Sequence, residues 1–323
     1  MRFMKAWGIL LLLLGGGSAL ISYYLFIPRS LNGALTTVSI AQGSSLDEAA
    51  DKLARAGVIS NAMLFRIFFS AVYPGATVKA GEYQVRTPHT IPSAARLLVI
   101  GAPKRERAVT IIEGWSLKDI QSTGIDLTAL TAKDFSGAFE FLRARASDQS
   151  LEGYVFPDTY RLYEDASPRD LAEKALANFV RKFSQSLQNT AREQGRSIHE
   201  VVTLASIIER EVRNDEDRAL VSDIFIRRLK KGMPLQVDST VNYITGKSSP
   251  SASADDISRE SPYNTYRVAG LPPGPICNPS LSSLRAALYP KKNTYWYFLT
   301  PPDGTVIYGR TFDEHIANKR KYL

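Results

Sequence analysis

One cysteine, Cys277, in 323 residues leaves no partner for an intrachain disulfide and no multi-cysteine metal site. Histidine is nearly as scarce. His89, His199 and His315 show no metal-ligand spacing, so no metal and no other cofactor is expected. No Ser–His–Asp or Cys–His set stands out by spacing, which leaves a serine or cysteine protease without support. Charge of one sign is not in great excess: 40 basic against 32 acidic side chains give +8. That surplus suits an anionic membrane surface or an acidic polymer. Nucleic acid is not an expected partner, because no recognition helix and no aromatic–basic signature is present. Disorder as a general state is excluded by a hydrophobic content of 44% with 10% aromatics.

Long hydrophobic runs are lacking except at the start. Trp7–Ile27 is uncharged over 21 residues, and roughly 20 suffice for a helix to cross the hydrocarbon core. Trp7 at one end and Tyr23 and Tyr24 near the other fit the interfacial aromatic belts. The run continues well past Gly17-Ser18-Ala19, where a signal peptide would be cut, so an uncleaved anchor is the expectation. Arg2 and Lys5 keep residues 1–6 inside the cell. The chain therefore reads as a single-pass protein of the cytoplasmic (inner) membrane, with its bulk in the periplasm or cell-wall space.

Beyond a tether at 28–36, the pattern is α+β. Thr37–Ile40 alternates like a strand, and Ser45 with Glu48 forms a capping box opening a helix Leu46–Ala56. A second short helix runs through Phe69, and Gly81–Val85 is a second strand. That order is the order of a LysM-like module, placed at 37–107 with a further helix Pro92–Ile100. Val109-Thr-Ile-Ile-Glu-Gly114-x-Ser116-Leu117 then echoes Val38-Ser-Ile-Ala-Gln-Gly43-x-Ser45-Leu46 without a clear return strand. Residues 108–323 are read as a mixed α/β domain. It starts with a long helix Pro168–Gln194, a helix Ile198–Arg213 and a third helical stretch Asp217–Lys231. Past Leu235 the abundance of Gly, Pro, Asn, Ser and Tyr predicts loops that build a cleft, followed by a hairpin from Tyr295–Leu299 and Thr305–Tyr308.

Leu204-Ala-Ser-Ile-Ile-Glu-Arg-Glu-Val212 is the most informative stretch. At about 100° per residue, Val201, Leu204, Ala205, Ile208 and Val212 form one apolar face. Glu209 and Glu211 then flank it about 200° apart, too far round the helix to act as a carboxylate pair. A glutamate beside an apolar face is desolvated, which raises its pKa and keeps a proton available near neutral pH. Helical geometry alone does not choose between the two, and pairing with Arg210, Arg213 or Arg218 accounts equally well for either.

With this stretch the chain resembles the YceG-like family, the membrane-anchored endolytic murein transglycosylases. The resemblance also rests on Glu152-Gly-Tyr-Val-Phe-Pro-Asp-Thr-Tyr160, Leu235-Gln-Val-Asp-Ser-Thr-Val241, Tyr263-Asn-Thr-Tyr266 and Gly270-Leu-Pro-Pro-Gly-Pro-Ile276 with Asn278-Pro279-Ser280. It implies non-hydrolytic cleavage of the β-1,4 bond between N-acetylmuramic acid and N-acetylglucosamine, leaving a 1,6-anhydromuramoyl end. Peptidoglycan glycan strands are then the substrate and membrane peptidoglycan synthases the implied protein partners. One carboxyl suffices for such chemistry, because the C6 hydroxyl of the sugar replaces water. Ordinary glycosidases need two carboxyls, about 5–5.5 Å or about 6.5–9.5 Å apart. Other lytic transglycosylases carry their acid in a Glu-Ser pair closing a similar helix. Aligning that pair here selects Glu211 over Glu209, although Val212 stands where a hydroxyl is expected.

The other motifs are expected to line the groove. Gln236, Asn264, Thr265 and Asn278 would hydrogen-bond the sugars, while Tyr263 and Tyr266 offer flat faces. Glu152 is a supporting carboxylate or turn cap, and Asp238 forms an Asx-type turn with Ser239 and Thr240. Two other readings stay open: a catalytically silent peptidoglycan-binding scaffold, and a hydrolytic muramidase with Glu152, Asp158 or Asp238 as second carboxylate.

Overall fold

The computed structural model describes residues 22, 23, 25, 26, 35–86, 89–102, 105–142, 149–247 and 251–322. The expected anchor Trp7–Ile27 lies outside these residues apart from Ser22, Tyr23, Leu25 and Phe26, which are helical. Among the described residues no helix is long and apolar enough to cross a membrane. The chain divides into two compact units, Met1–Arg105 and Glu106–Leu323.

In the first unit, β1 (Leu35–Ile40) pairs antiparallel with β2 (Gly81–Arg86), placing Val38 opposite Tyr83. The strand thus begins inside the stretch read as tether. A two-stranded ribbon is marginal alone, so helices must cover it. Helix α1 (Leu46–Arg55) starts from the reciprocal Ser45–Glu48 capping box, and α2 (Ala62–Val72) from the Asn61 side chain. Helix α3 (Ile91–Ile100) has Thr90 as its cap. Alternate strand residues Val38, Ile40, Tyr83 and Val85 meet Leu53, Phe65, Phe69 and Leu98 in one core. Truncating a buried ring such as Phe65 to alanine would cost about 3–5 kcal/mol.

The second unit opens on β3 (Glu106–Thr110), which returns through Gly114 into the short helix α4 (Leu117–Ile120). Gly43 and Gly114 both have positive φ, 81° and 79°, and Ser45 and Ser116 both begin capping boxes. The echo in the sequence is therefore an echo of local backbone geometry. The partner strand of the second copy comes much later: β4 (Thr159–Tyr163) pairs antiparallel with β3, after a short helix α5 (Ala132–Phe135).

The helix expected over Pro168–Gln194 is in fact two, α6 (Pro168–Lys182) and α7 (Gln185–Glu193). Phe183 leaves the helical region with ψ 68° and is wholly buried, its ring 5.6 Å from that of Phe179. Burying that ring decides the break.

Helix α8 (Ile198–Glu211) is the axis of this unit. Every residue from Val201 to Ile208 is buried, where the sequence pattern predicts a single apolar face. A helix hydrophobic all round belongs in an interior, and of its two buried polar residues Ser206 is hydrogen-bonded whereas Thr203 Oγ1 has no hydrogen-bond partner among the described residues. Ser206 Oγ donates to the Thr203 carbonyl and accepts from the Ile276 amide. Against α8 pack α9 (Asp215–Lys230) and two helices lying where loops were expected, α10 (Asp238–Thr245) and α12 (Leu281–Leu288), while a third such helix, α11 (Ala254–Ser258), packs on α10. Here caps outweigh composition. Ser253 and Ser280 accept from the first-turn amides of α11 and α12. A hairpin of β5 (Tyr297–Leu299) and β6 (Ile307–Gly309) leads to α13 (Phe312–Tyr322). Among the described residues there are thirteen α-helices and three two-stranded sheets, a mixed α/β architecture.

Candidate active site

The site gathers where α8 ends. Val212 turns extended (φ −143°, ψ 150°) and is buried, which stops the helix and makes Glu211 its last residue. Ser239, in the first turn of α10, donates its hydroxyl to Glu211 Oε1 at 2.6 Å. Glu211 keeps partial contact with solvent, yet protein atoms crowd its carboxyl. That desolvation is the dominant influence and raises its pKa to about 7. The Ser239 hydroxyl and amide and the Arg210 charge pull it down, while Asp238 pushes it up. At neutral pH such a carboxyl is divided between acid and carboxylate, the condition for a group that first gives and then takes a proton.

The segment before Ser239 is held in an uncommon shape. Gln236 is the one non-glycine residue at positive φ (53°) among those described, and its side chain is exposed. A strained backbone of this kind costs about 1–3 kcal/mol and persists only where its surroundings enforce it. Those surroundings are visible. The Gln236 amide donates to the Thr265 carbonyl at 3.0 Å, and the Val237 amide to Thr265 Oγ1 at 3.1 Å. Thr265 Oγ1 also shares a 2.9 Å bond with Thr240 Oγ1, which donates to the Val237 carbonyl. The Tyr266 hydroxyl donates to Asp238 Oδ1 at 2.8 Å. Burial and Asp238 keep that phenol protonated far above neutral pH.

These bonds sort the expected site residues. Glu211, Gln236, Asp238 and Tyr266 are brought together with some surface left, and Tyr263 is half-exposed beside Tyr243 at 5.2 Å. Thr240, Asn264 and Thr265 are not on the surface of the site. They are buried in its frame, and Asn264 spends its amide on the Ile257 and Arg259 carbonyls and on the Tyr266 amide. The Asx-type turn expected at Asp238–Thr240 is the first turn of α10 instead.

Glu152 and Asn278 also move inward. Glu152 accepts from the Leu117 amide and from Asn278 Nδ2, and burial raises it to about 8. Asn278 takes the Gly153 and Val155 amides on Oδ1 and donates to the Trp115 carbonyl. They form a buried strut joining the turn before α4 to the Glu152 motif, with no surface for a sugar.

Glu209 is engaged as well. Its Oε1 takes Arg218 at 2.9 Å and its Oε2 the Ser280 amide at 2.9 Å and the Ser280 hydroxyl, with only 6% of the side chain exposed. It joins α8 to α9 and to the start of α12. Two contributors escaped the sequence reading. Ser239 is hidden by the loop-like composition around it. Arg228 is a buried cation that donates to the Leu235 carbonyl at 2.7 Å and the Trp296 carbonyl at 2.7 Å. A shallow depression lined by Glu260, Ser261, Pro262, Arg267 and Val268 adjoins the Tyr263–Tyr266 loop but does not include Glu211. Among the described residues no group of three or more His, Cys, Asp or Glu side chains could hold a metal ion.

A sequence model of the YceG-like family matches residues 38–321. The chain belongs to the YceG-like family. The YceG-like match runs through both units. An endolytic murein transglycosylase of Bacillus subtilis (strain 168) is 32% identical, over 95% of this chain and 91% of that protein. The endolytic murein transglycosylase of Streptococcus pneumoniae serotype 2 (strain D39) is 29% identical over 89% of this chain, which spans 58% of that longer protein. A yceG-like protein of Listeria monocytogenes, solved by crystallography, superimposes with a TM-score of 0.60 at 28% identity, covering 88% of this chain and 99% of that one.

Proposed function

We propose that this YceG-like chain is an endolytic murein transglycosylase, a lyase acting on peptidoglycan, in which Glu211 is the single proton-transfer group. The observation carrying the assignment of Glu211 is its carboxyl, desolvated, raised to about 7 and bonded to Ser239, in a residue that keeps partial contact with solvent. Protonated Glu211 donates to the bridging oxygen as the C1–O bond of N-acetylmuramic acid breaks. The C6 hydroxyl of the same sugar attacks C1 and returns its proton to Glu211. The products are a 1,6-anhydromuramoyl end and a free 4-hydroxyl on N-acetylglucosamine. General acid–base help of this kind is typically worth about 10²–10⁴-fold, and the intramolecular nucleophile adds a proximity gain.

The apolar run at 7–27 would anchor the enzyme in the cytoplasmic membrane, and the strand–helix–helix–strand unit would serve as its LysM-like module. Cutting nascent strands near the bilayer would terminate their elongation beside the membrane synthases that make them. Mass spectrometry of digested glycan tests the reaction and the residue together. Anhydro ends that vanish in Glu211→Gln and persist in Glu209→Gln support the assignment. Loss in Glu209→Gln with retention in Glu211→Gln would overturn it. Reducing ends in place of anhydro ends would favour the hydrolytic reading, for which Asp238 is the carboxylate nearest in sequence to the Ser239–Glu211 bond. No products from the wild type would favour the silent scaffold.

A further inference from the structure

Helix α13 and the hairpin carry an aromatic cluster that the site above does not use. The rings of Tyr297 and Phe312 are 5.8 Å apart at 60°, and His315 lies 5.4 Å from Tyr297. The Arg228 guanidinium sits 5.2 Å over the Tyr297 ring. Phe312 is held by these neighbours and yet is 59% exposed, on a helix that buries none of its residues. Burial and the charges of Lys319 and Arg228 push His315 below its ordinary value, so the ring beside Phe312 is neutral at neutral pH. A large ring kept rigid and bare is poor design for a core and good design for a contact.

Two connections tie the cluster to Glu211. Thr300, the residue after β5, donates its hydroxyl to the Glu211 carbonyl at 3.5 Å. Tyr297 precedes it by three residues, at most about 10 Å of extended chain from the Glu211 backbone, comparable with a disaccharide. Independently, Arg228 bonds the carbonyls of Leu235 and Trp296. It thereby joins the segment leading to Gln236 and Ser239 to the strand bearing Tyr297.

We propose that Phe312, backed by Tyr297 and His315, is a stacking platform for a pyranose of the glycan strand, about one disaccharide from the bond cleaved at Glu211. The proposal rests on the transglycosylase reading and adds where the strand runs. A pyranose presents a face of C–H bonds that an aromatic ring can cover, while its hydroxyls stay in water. Exposed Lys319, whose charge acts on His315, suits the carboxylates of the attached peptide stems, while Asp313 and Glu314 are exposed beside Phe312 as well.

The test uses the full chain in detergent, made silent by Glu211→Gln, and calorimetric binding of uncrosslinked glycan oligosaccharides of two and of six sugars. Phe312→Ala is expected to weaken binding of the longer ligand about tenfold and of the shorter by less than about twofold, the weight of one exposed aromatic contact. Phe312→Trp should restore it. Equal loss at both lengths, no loss, or no binding of the six-sugar ligand to either protein would overturn the platform. Cleavage by wild-type protein is scored separately. Uncut glycan together with length-dependent binding would sink the reaction and keep the platform, whereas cut glycan with unchanged binding would do the reverse.

Discussion

Glu209 and Glu211 stand two residues apart on α8, and different elements receive them. Glu209 meets a buried arginine from α9 and the amide of Ser280, the cap of α12, so both of its oxygens are taken and little of its side chain is exposed. Glu211 meets the first turn of α10, where Ser239 offers it hydroxyl and amide, and the residue keeps some contact with solvent. Two glutamates on one helix thus have different partners, a buried arginine for Glu209 and a hydroxyl for Glu211, and desolvation is what raises Glu211 toward neutral pH.

The largest expected effect lies on the Glu211 side. Glu211→Gln should lower kcat about 10²–10⁴-fold with no fall in the denaturation midpoint, read from product formation and chemical unfolding on one preparation. A parallel fall in stability would erase the contrast between the flanks. On the other flank, Glu209→Gln leaves the buried Arg218 with only the exposed Asp215 carboxylate, at 3.0 Å. Breaking a buried pair outright costs about 3–5 kcal/mol, so a loss of up to that size is expected, which urea titration should detect. An unshifted midpoint would mean that the Glu209 network carries no stability.

Glu152 offers a third environment, buried and raised to about 8. The folded state then binds a proton that the unfolded chain releases at its ordinary value of about 4.5. Stability should therefore fall as pH rises from about 5 to 8, by up to a few kcal/mol. Glu152→Gln should reduce that slope, leaving the share of Glu211, which is raised to about 7; an unaltered slope in thermal melts at several pH values would assign it to other groups. Smaller still are the shifts expected at Glu211. Ser239→Ala removes a bond that stabilises the ionised form, so the alkaline limb of activity should move to higher pH by about one unit or less. Asp238→Asn removes a neighbouring negative charge and should move the same limb downward. Both limbs moving together would show that the two residues act through loop shape and not through charge. A soluble form lacking residues 1–28 should cut purified glycan normally while changing strand lengths in cells; unaltered lengths would detach length control from the anchor.

Much of the first unit was legible, because its signals are local. A capping box, an alternating strand and a positive-φ glycine each depend on a few adjacent residues, and Ser45, Val38 and Gly43 behave as their neighbours dictate. The choice of Glu211 over Glu209 rested only on resemblance, since the helix pattern treats its two flanks alike. The second unit was less readable where burial overrode composition. Nothing near Phe183 announces a break, and Gly, Pro and Asn around residues 235–280 concealed α10 and α12. Asn264 and Asn278 looked like surface hydrogen-bonders, but each closes the backbone of its own frame.

By itself the sequence determined the alternation of strands and capped helices, the family and the presence of two candidate acids on one helix. These follow from propensity, periodicity and short motifs, which are interactions among neighbours in the chain. Only the tertiary structure decided which acid is tied up by Arg218, which one Ser239 receives, and that Phe312 is left bare beside the hairpin. Those outcomes depend on desolvation and on partners far away in sequence, and neither is a property of any single stretch of residues.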